Sequence, residues 1–232
     1  DAEKMDLRKT LKAIGQNKPL IWILTASLLF MTNSMLMGAV NVYLFKDYFT
    51  NTAALSLVGV MTTVTAFIAM PMVKPLVARF GKKEIAAVGM GFAAIIYFVL
   101  FMMKDISAMT FVWIAALGMF GTAFLNVVIW AFVTDVIDYH EFLTGLREDA
   151  TIYSVYSFAR KVGQAVAGGL GGFLIAAVGY NAALETQTES TLNGIHALGT
   201  LAPALFYAAV FLILMFLYPL TKKRTEQLAI DI

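Results

Sequence analysis

The sequence predicts an all-α membrane protein with six transmembrane helices, and three observations predict it. Hydrophobic residues make up 60% of the 232 and charged residues only 14%. The mean hydropathy is +0.78. The apolar residues gather into six runs separated by short charged segments, each near the length of about 20 residues that crosses a bilayer as a helix. A soluble domain carries roughly 25% charged residues, so a chain with so few presents most of its surface to lipid. Helices are required, because lipid leaves unpaired backbone groups uncompensated and the runs lack the alternation of a membrane barrel.

In chain order, residues 1–18 read as a polar cytoplasmic linker with helix-forming patches at Leu7, Leu11 and Ile14. This segment is too charged for a signal peptide and feeds a long apolar run. Without an initiating methionine, the chain reads as the second part of something larger. The bundle occupies 19–220. Its runs are 19–45, 53–77, 85–103, 108–134, 151–178 and 195–219. Pro19 stands where a helix tolerates proline, in its first turn. Lys46-Asp47, Gly81-Lys82-Lys83, Lys104-Asp105 and Gly145 punctuate the first four. Residues 221–232 form a cytoplasmic tail.

Charge placement orients the chain. Lys4, Arg8, Lys9, Lys12 and Lys18 precede the first run, and Lys74, Arg79, Lys82 and Lys83 surround the second loop. Arg147 and the tail residues Lys222, Lys223 and Arg224 fall on the same side. Only Lys46 and Lys104 fall on the other, so the positive-inside rule places both termini in the cytoplasm. Trp22, Tyr43, Tyr180 and Tyr218, near run ends, read as interfacial anchors.

Several function classes are excluded. A net charge of +2 does not point to nucleic acid, and with no cysteine there is no disulfide or thiolate chemistry. His140 and His196 are too few and too far apart for a metal site; they read as a titrating surface residue and an interfacial one. No nucleophile, metal cluster or paired midplane acid supports a membrane enzyme, and no filter segment or acidic repeat supports a channel.

The residues that carry chemistry lie in the fifth run. Arg160 and Lys161 sit about 15 Å into it, near the bilayer midplane, where a cation costs at least about 2.5–3.5 kcal/mol. Such a pair requires a polar cavity, a counter-charge or a bound anion. At helical spacing, Ser154, Ser157, Lys161, Gln164 and Gly168 form one stripe, and Tyr153, Tyr156 and Arg160 line an adjacent one. Gly163, Gly168, Gly169, Gly171 and Gly172 predict close packing by a partner helix. A second constellation, Asp135 and Asp138 with Arg147-Glu148-Asp149, closes the fourth run. The two aspartates share a helix face and are placed to meet Arg79 or Arg147 in a cytoplasmic latch.

These segments carry a resemblance. Asp135-Val-Ile-Asp-Tyr-His-Glu-Phe, Gly145-Leu-Arg, Tyr153-Ser and Ser157-Phe-Ala-Arg-Lys-Val-Gly-Gln resemble the tenth and eleventh helices of the glycoside-pentoside-hexuronide cation symporters. That family lies within the major facilitator superfamily and includes melibiose permease. Asn17-Lys-Pro-Leu, Arg79-Phe-Gly-Lys-Lys and Tyr218-Pro-Leu-Thr are similar to the family's seventh-helix entrance, eighth-to-ninth loop and carboxyl tail, so the resemblance covers nearly the whole chain.

The resemblance implies a carboxyl-terminal half: helices seven to twelve of a twelve-helix transporter, one bundle of two inverted three-helix repeats, in a bacterial inner membrane. It implies a sugar substrate bound between this bundle and an amino-terminal six-helix half, its partner, with lipid around both. Lys161, Tyr156, Ser157, Gln164 and Arg160 would line the sugar cavity. Asn126 stands where melibiose permease has a cavity tryptophan, which favours hydrogen bonding over ring stacking there. Arg79, Asp135, Asp138 and Arg147 would form the cytoplasmic gate pairs. This half would bind no cofactor. The coupling ion, sodium or a proton, would act through acidic residues of the missing half.

The Ser-Phe-x-Arg-Lys-x-Gly-Gln-Ala pattern looks closest to the glucuronide-transporting branch, and arginine binds carboxylates in a bidentate fork. The other functional reading is a membrane scaffold or assembly subunit without transport, in which the polar fifth run is an oligomer seam. Groups that normally meet the other half would leave the isolated bundle prone to self-association.

Overall fold

A computed structural model describes residues 7–145 and 147–232. Lys4, with the rest of residues 1–6 of the linker, and Leu146 before Arg147 lie outside the described residues. Among those described, the regular structure is helical: α1 Leu7–Gln16, α2 Lys18–Tyr43, α3 Ala53–Phe80, α4 Lys82–Met102, α5 Ala108–Thr144, α6 Asp149–Ala177, α7 Glu189–Leu212 and α8 Lys222–Asp231. π-helical turns prolong α2 over Leu44–Tyr48 and α7 over Ile213–Leu217.

The helix ends follow local chemistry. Asn17 accepts from the Leu20 amide at 3.1 Å, and Pro19 lies in the first turn of α2. The Asn17 amide also donates to the Val136 carbonyl at 3.1 Å, fixing the start of α2 to α5. Ser107, Thr188 and Thr221 cap α5, α7 and α8 through their side-chain oxygens, satisfying amides that lack an intrahelical acceptor. Gly145, with φ of 72°, ends α5 in the left-handed conformation that costs glycine little. Helix α5 thus continues ten residues past the apolar run that ends at 134, and α7 starts at Glu189 rather than 195. Apolarity marks where a helix meets lipid; caps mark where it starts and stops.

Among the described residues, five helical segments are long and apolar enough to cross a membrane: Lys18–Tyr48, Ala53–Phe80, Lys82–Met102, Ala108–Thr144 and Glu189–Leu217. At 29 residues α6 has the length, but Arg160, Lys161 and Gln164 make it more polar than these five.

Helix α2 packs on α6 and α7, α5 packs on α3 and α4, and α4 packs on α7. In lipid, apolar contact gains little transfer free energy, so close packing at small residues and interhelical polar contacts matter more. Gly89 of α4 and Gly121 of α5 meet backbone to backbone; a Cβ on either would collide with the other's carbonyl oxygen. Gly163 and Gly171 bring α6 against Leu28 and Ala39 of α2, whereas Gly168, Gly169 and Gly172 face open space.

Three surface assignments are corrected. Tyr218 is buried, with its ring 5.2 Å from Phe132 in an edge contact, so it is a core residue and not an interfacial anchor. His140 is fully buried and its Nε2 meets Glu148 at 3.0 Å. His196 is fully buried between Tyr48, 4.9 Å away, and Phe101, 6.3 Å away.

Candidate functional site

Arg160 lies eleven residues into α6, about 16 Å along its axis. Its guanidinium carbon is 5.3 Å from the centre of the Trp130 ring and 5.8 Å from that of Tyr156. A terminal nitrogen touches the Met31 sulfur at 3.4 Å. The two rings meet edge to face at 5.3 Å. Tyr156 is fully buried and its hydroxyl shares a 3.1 Å hydrogen bond with Ser27 of α2. Among the described residues no carboxylate pairs with Arg160. Its charge is accommodated by aromatic faces, which attract cations by about 0.5–2 kcal/mol each and leave its N–H donors largely unused.

Arg160 opens on a small cavity of about 20 Å³ lined by Ser27, Phe30, Met31, Leu125, Asn126, Ile129 and Tyr156. A larger chamber of about 270 Å³ shares Phe30 and Asn126 with it. Hydroxyl and amide groups of Ser34, Asn41, Thr62, Thr65 and Thr122 line this chamber, with the rings of Tyr97 and Tyr207. The two spaces share walls at Phe30 and Asn126, the smaller beside the Arg160 cation and the larger lined in part by neutral hydroxyl and amide residues.

Of the residues singled out in the sequence, Tyr156, Arg160 and Asn126 come together here. Ser157 and Gln164 are half-buried and Lys161 is exposed; none of the three lines these cavities. Trp130 was not singled out. It stands one turn after Asn126 on α5 and offers an aromatic face beside the cation. The polar lining from α2, α3 and α5 was also missed. Its signal is the set of threonines and asparagines inside otherwise apolar runs.

At the end of the bundle carrying the α3–α4 turn, Asp135 is paired bidentately with Lys82, at 2.9 and 3.0 Å, and not with Arg79. Arg79 is exposed and its guanidinium lies 5.2 Å from the centre of the Phe80 ring. Arg147 bridges Asp138 at 2.8 Å, Glu141 at 2.9 Å and Asp149 at 3.0 Å. The hydrogen bonds to Asp138 and Glu141 push this guanidinium still further up from its ordinary value, so it stays charged and ties α5 to α6. The tail is fixed here too: Lys222 donates to the Arg79 carbonyl at 3.2 Å, and Lys83 to the Tyr218 carbonyl at 2.7 Å.

The sequence matches the MFS/sugar transport protein family over residues 1–222. The chain belongs to this family. MFS sugar transport proteins are transporters and not enzymes, and the apolar helices make the chain part of a multi-pass membrane protein. An uncharacterized symporter of Bacillus subtilis is 31% identical over 99% of this chain and 50% of its own length. A putative sulfoquinovose importer of Escherichia coli is 31% identical over 95% of this chain and 47% of its length. A glucuronide carrier protein homolog of the same bacterium is 29% identical over 97% and 49%. The chain thus spans about half the length of the curated relatives it matches.

Proposed function

We propose that this chain is the carboxyl-terminal half of a cation-coupled symporter for an anionic sugar, and that Arg160 receives the anion. The observation that carries this reading is the guanidinium, unpaired by any carboxylate among the described residues, facing a small cavity that shares Phe30 and Asn126 with a hydroxyl- and amide-lined chamber. A carboxylate or sulfonate would supply the acceptor that the described residues do not. The ring hydroxyls would then lie toward Asn126, Thr62 and Asn41, and Trp130 would offer a stacking face. Two relatives named for sulfoquinovose and glucuronide carry the same implication, since each name denotes a sugar with a negative group.

The half-length match supports a second six-helix bundle as partner. Helix α6 contacts chiefly α2, leaving Phe158, Lys161, Val166 and Phe173 exposed. That bundle would cover this face and place Lys161 and Gln164 against the sugar and the coupling-ion site. With α6 as the sixth crossing, α2 packs on the middle helix of the α5–α7 triplet and α5 on that of the α2–α4 triplet. This reciprocity fits inverted three-helix repeats. In this reading both termini are cytoplasmic, and Arg147 with Asp138, and Lys82 with Asp135, form a latch that rearranges as the pathway opens.

The test is uptake by the full-length protein in proteoliposomes. Accumulation of a labelled glucuronide above its equilibrium level, driven by an inward sodium or proton gradient, supports the proposal. Gradient-independent equilibration, or absence of uptake, overturns symport.

A further inference from the structure

We infer that Asn33 and Tyr207 form a second subsite, which binds two adjacent hydroxyls of the sugar, with the Met37 sulfur holding their donors until the sugar arrives. This rests on the reading of Arg160 as the receiver of the anion. The chamber of about 270 Å³ has Met37 of α2 and Tyr207 of α7 in its wall. Two donors converge there on the Met37 sulfur, the Asn33 Nδ2 and the Tyr207 hydroxyl, each at 3.4 Å. Asn33, one turn before Met37 on α2, is fully buried, and its Oδ1 has no hydrogen-bond partner among the described residues.

A thioether is a weak acceptor, and a buried polar group without a good partner is costly, so an oxygen that reaches these donors displaces the sulfur. Met37 can give way, because it is only half-buried and its side chain turns about several bonds. A hydroxyl offers two lone pairs and one proton. One sugar hydroxyl in place of the sulfur accepts from Asn33 and Tyr207, and its neighbour donates to the Asn33 Oδ1. An amide presents its donor and acceptor side by side, so it matches an adjacent pair of hydroxyls rather than an isolated one. Rings fix the subsite: Tyr207 meets Tyr97 edge to face at 5.5 Å and lies 6.3 Å from Phe30, which also walls the cavity beside Arg160. Arg160 is held in the same manner, with a terminal nitrogen on the Met31 sulfur at 3.4 Å. Anion and hydroxyls are thus both read by donors that exchange sulfur for oxygen.

The experiment is calorimetric binding of phenyl glucuronide, and of its monodeoxy analogues that each lack one ring hydroxyl, to the full-length protein. In the unmodified protein, loss of either of two adjacent hydroxyls weakens binding roughly tenfold. Asn33→Leu brings both penalties below about twofold. Tyr207→Phe keeps the ring contacts and lowers one of the two penalties; it carries the test alone if Asn33→Leu does not fold. Penalties that stay the same in the variants, as they would if the Asn33 oxygen met only a water, overturn the subsite and leave the Arg160 reading standing. A uniform weakening of every analogue by the variants does the same, since it marks a structural role. Absence of glucuronide binding by the unmodified protein overturns both.

Discussion

Arg160 of α6 and Trp130 of α5 form a cation–π pair, with the guanidinium carbon 5.3 Å from the ring centre. The contact holds a charge at membrane depth without neutralising it. An ion pair at the same place would have left nothing for a ligand. An aromatic face stabilises the cation by only about 0.5–2 kcal/mol, so its affinity for an anion survives.

Removing that face weakens the site without removing its charge. Trp130→Ala in the full-length transporter raises KM roughly tenfold for charged and neutral sugars alike, since both lose the ring and Arg160 loses its support. Trp130→Phe restores most of it. Uptake kinetics across the two variants check this, and an unchanged KM in Trp130→Ala contradicts it.

The glycines of α6 divide by what they meet. A Cβ on Gly171 would press on the Ala39 methyl at 2.7 Å, and one on Gly163 on the mobile end of Leu28 at the same distance. Gly171→Ala therefore costs about 1–3 kcal/mol as α2 and α6 are forced apart, and Gly163→Ala less, because Leu28 can rotate. Gly168→Ala meets nothing within this chain and leaves its stability unchanged or slightly raised. Thermal unfolding of the three variants in detergent gives the order.

The partner of Asp135 is testable by stability. Its side chain is 7% exposed and that of Lys82 27%, so Lys82→Gln, which strands the carboxylate, costs about 1–3 kcal/mol. Arg79→Gln stays within about 0.5 kcal/mol in detergent, as exposed substitutions do. Equal losses from both would return Arg79 to the pair.

Unpartnered faces on α3 and α6 predict the behaviour of the bundle alone. Phe67 is 68% exposed, Phe158 71% and Phe173 69%. Sedimentation of this chain by itself in mild detergent shows self-association; a monodisperse monomer argues that no second bundle covers these faces.

Much of the fold was legible because lipid imposes a simple rule: apolar runs of spanning length become helices. The rule fails where a helix leaves the membrane, which is why the last turns of α5 through Thr144 and the first of α7 at Glu189 were read short. The charge of Arg160 inside an apolar run drew attention to this cavity, since a cation at that depth is costly. Trp130 carried no such signal, because an aromatic in an apolar run reads as lipid-facing. Ser34, Asn41, Thr62 and Thr122 are ordinary single polar residues until folding brings their helices together. The choice of Lys82 over Arg79 for Asp135 is a matter of which cation in one tight turn points inward, and sequence spacing does not set that direction.

The most direct test is Arg160→Met in the full-length protein, with initial uptake of a glucuronide compared with that of an uncharged glycoside of the same aglycone. Loss of one charged hydrogen-bonding partner predicts a fall of roughly 10–100-fold in kcat/KM for the glucuronide, with the neutral glycoside changed less than about threefold. Equal losses for both sugars, or an unaffected glucuronide, would contradict the assignment of Arg160 as the receiver of the substrate's negative charge.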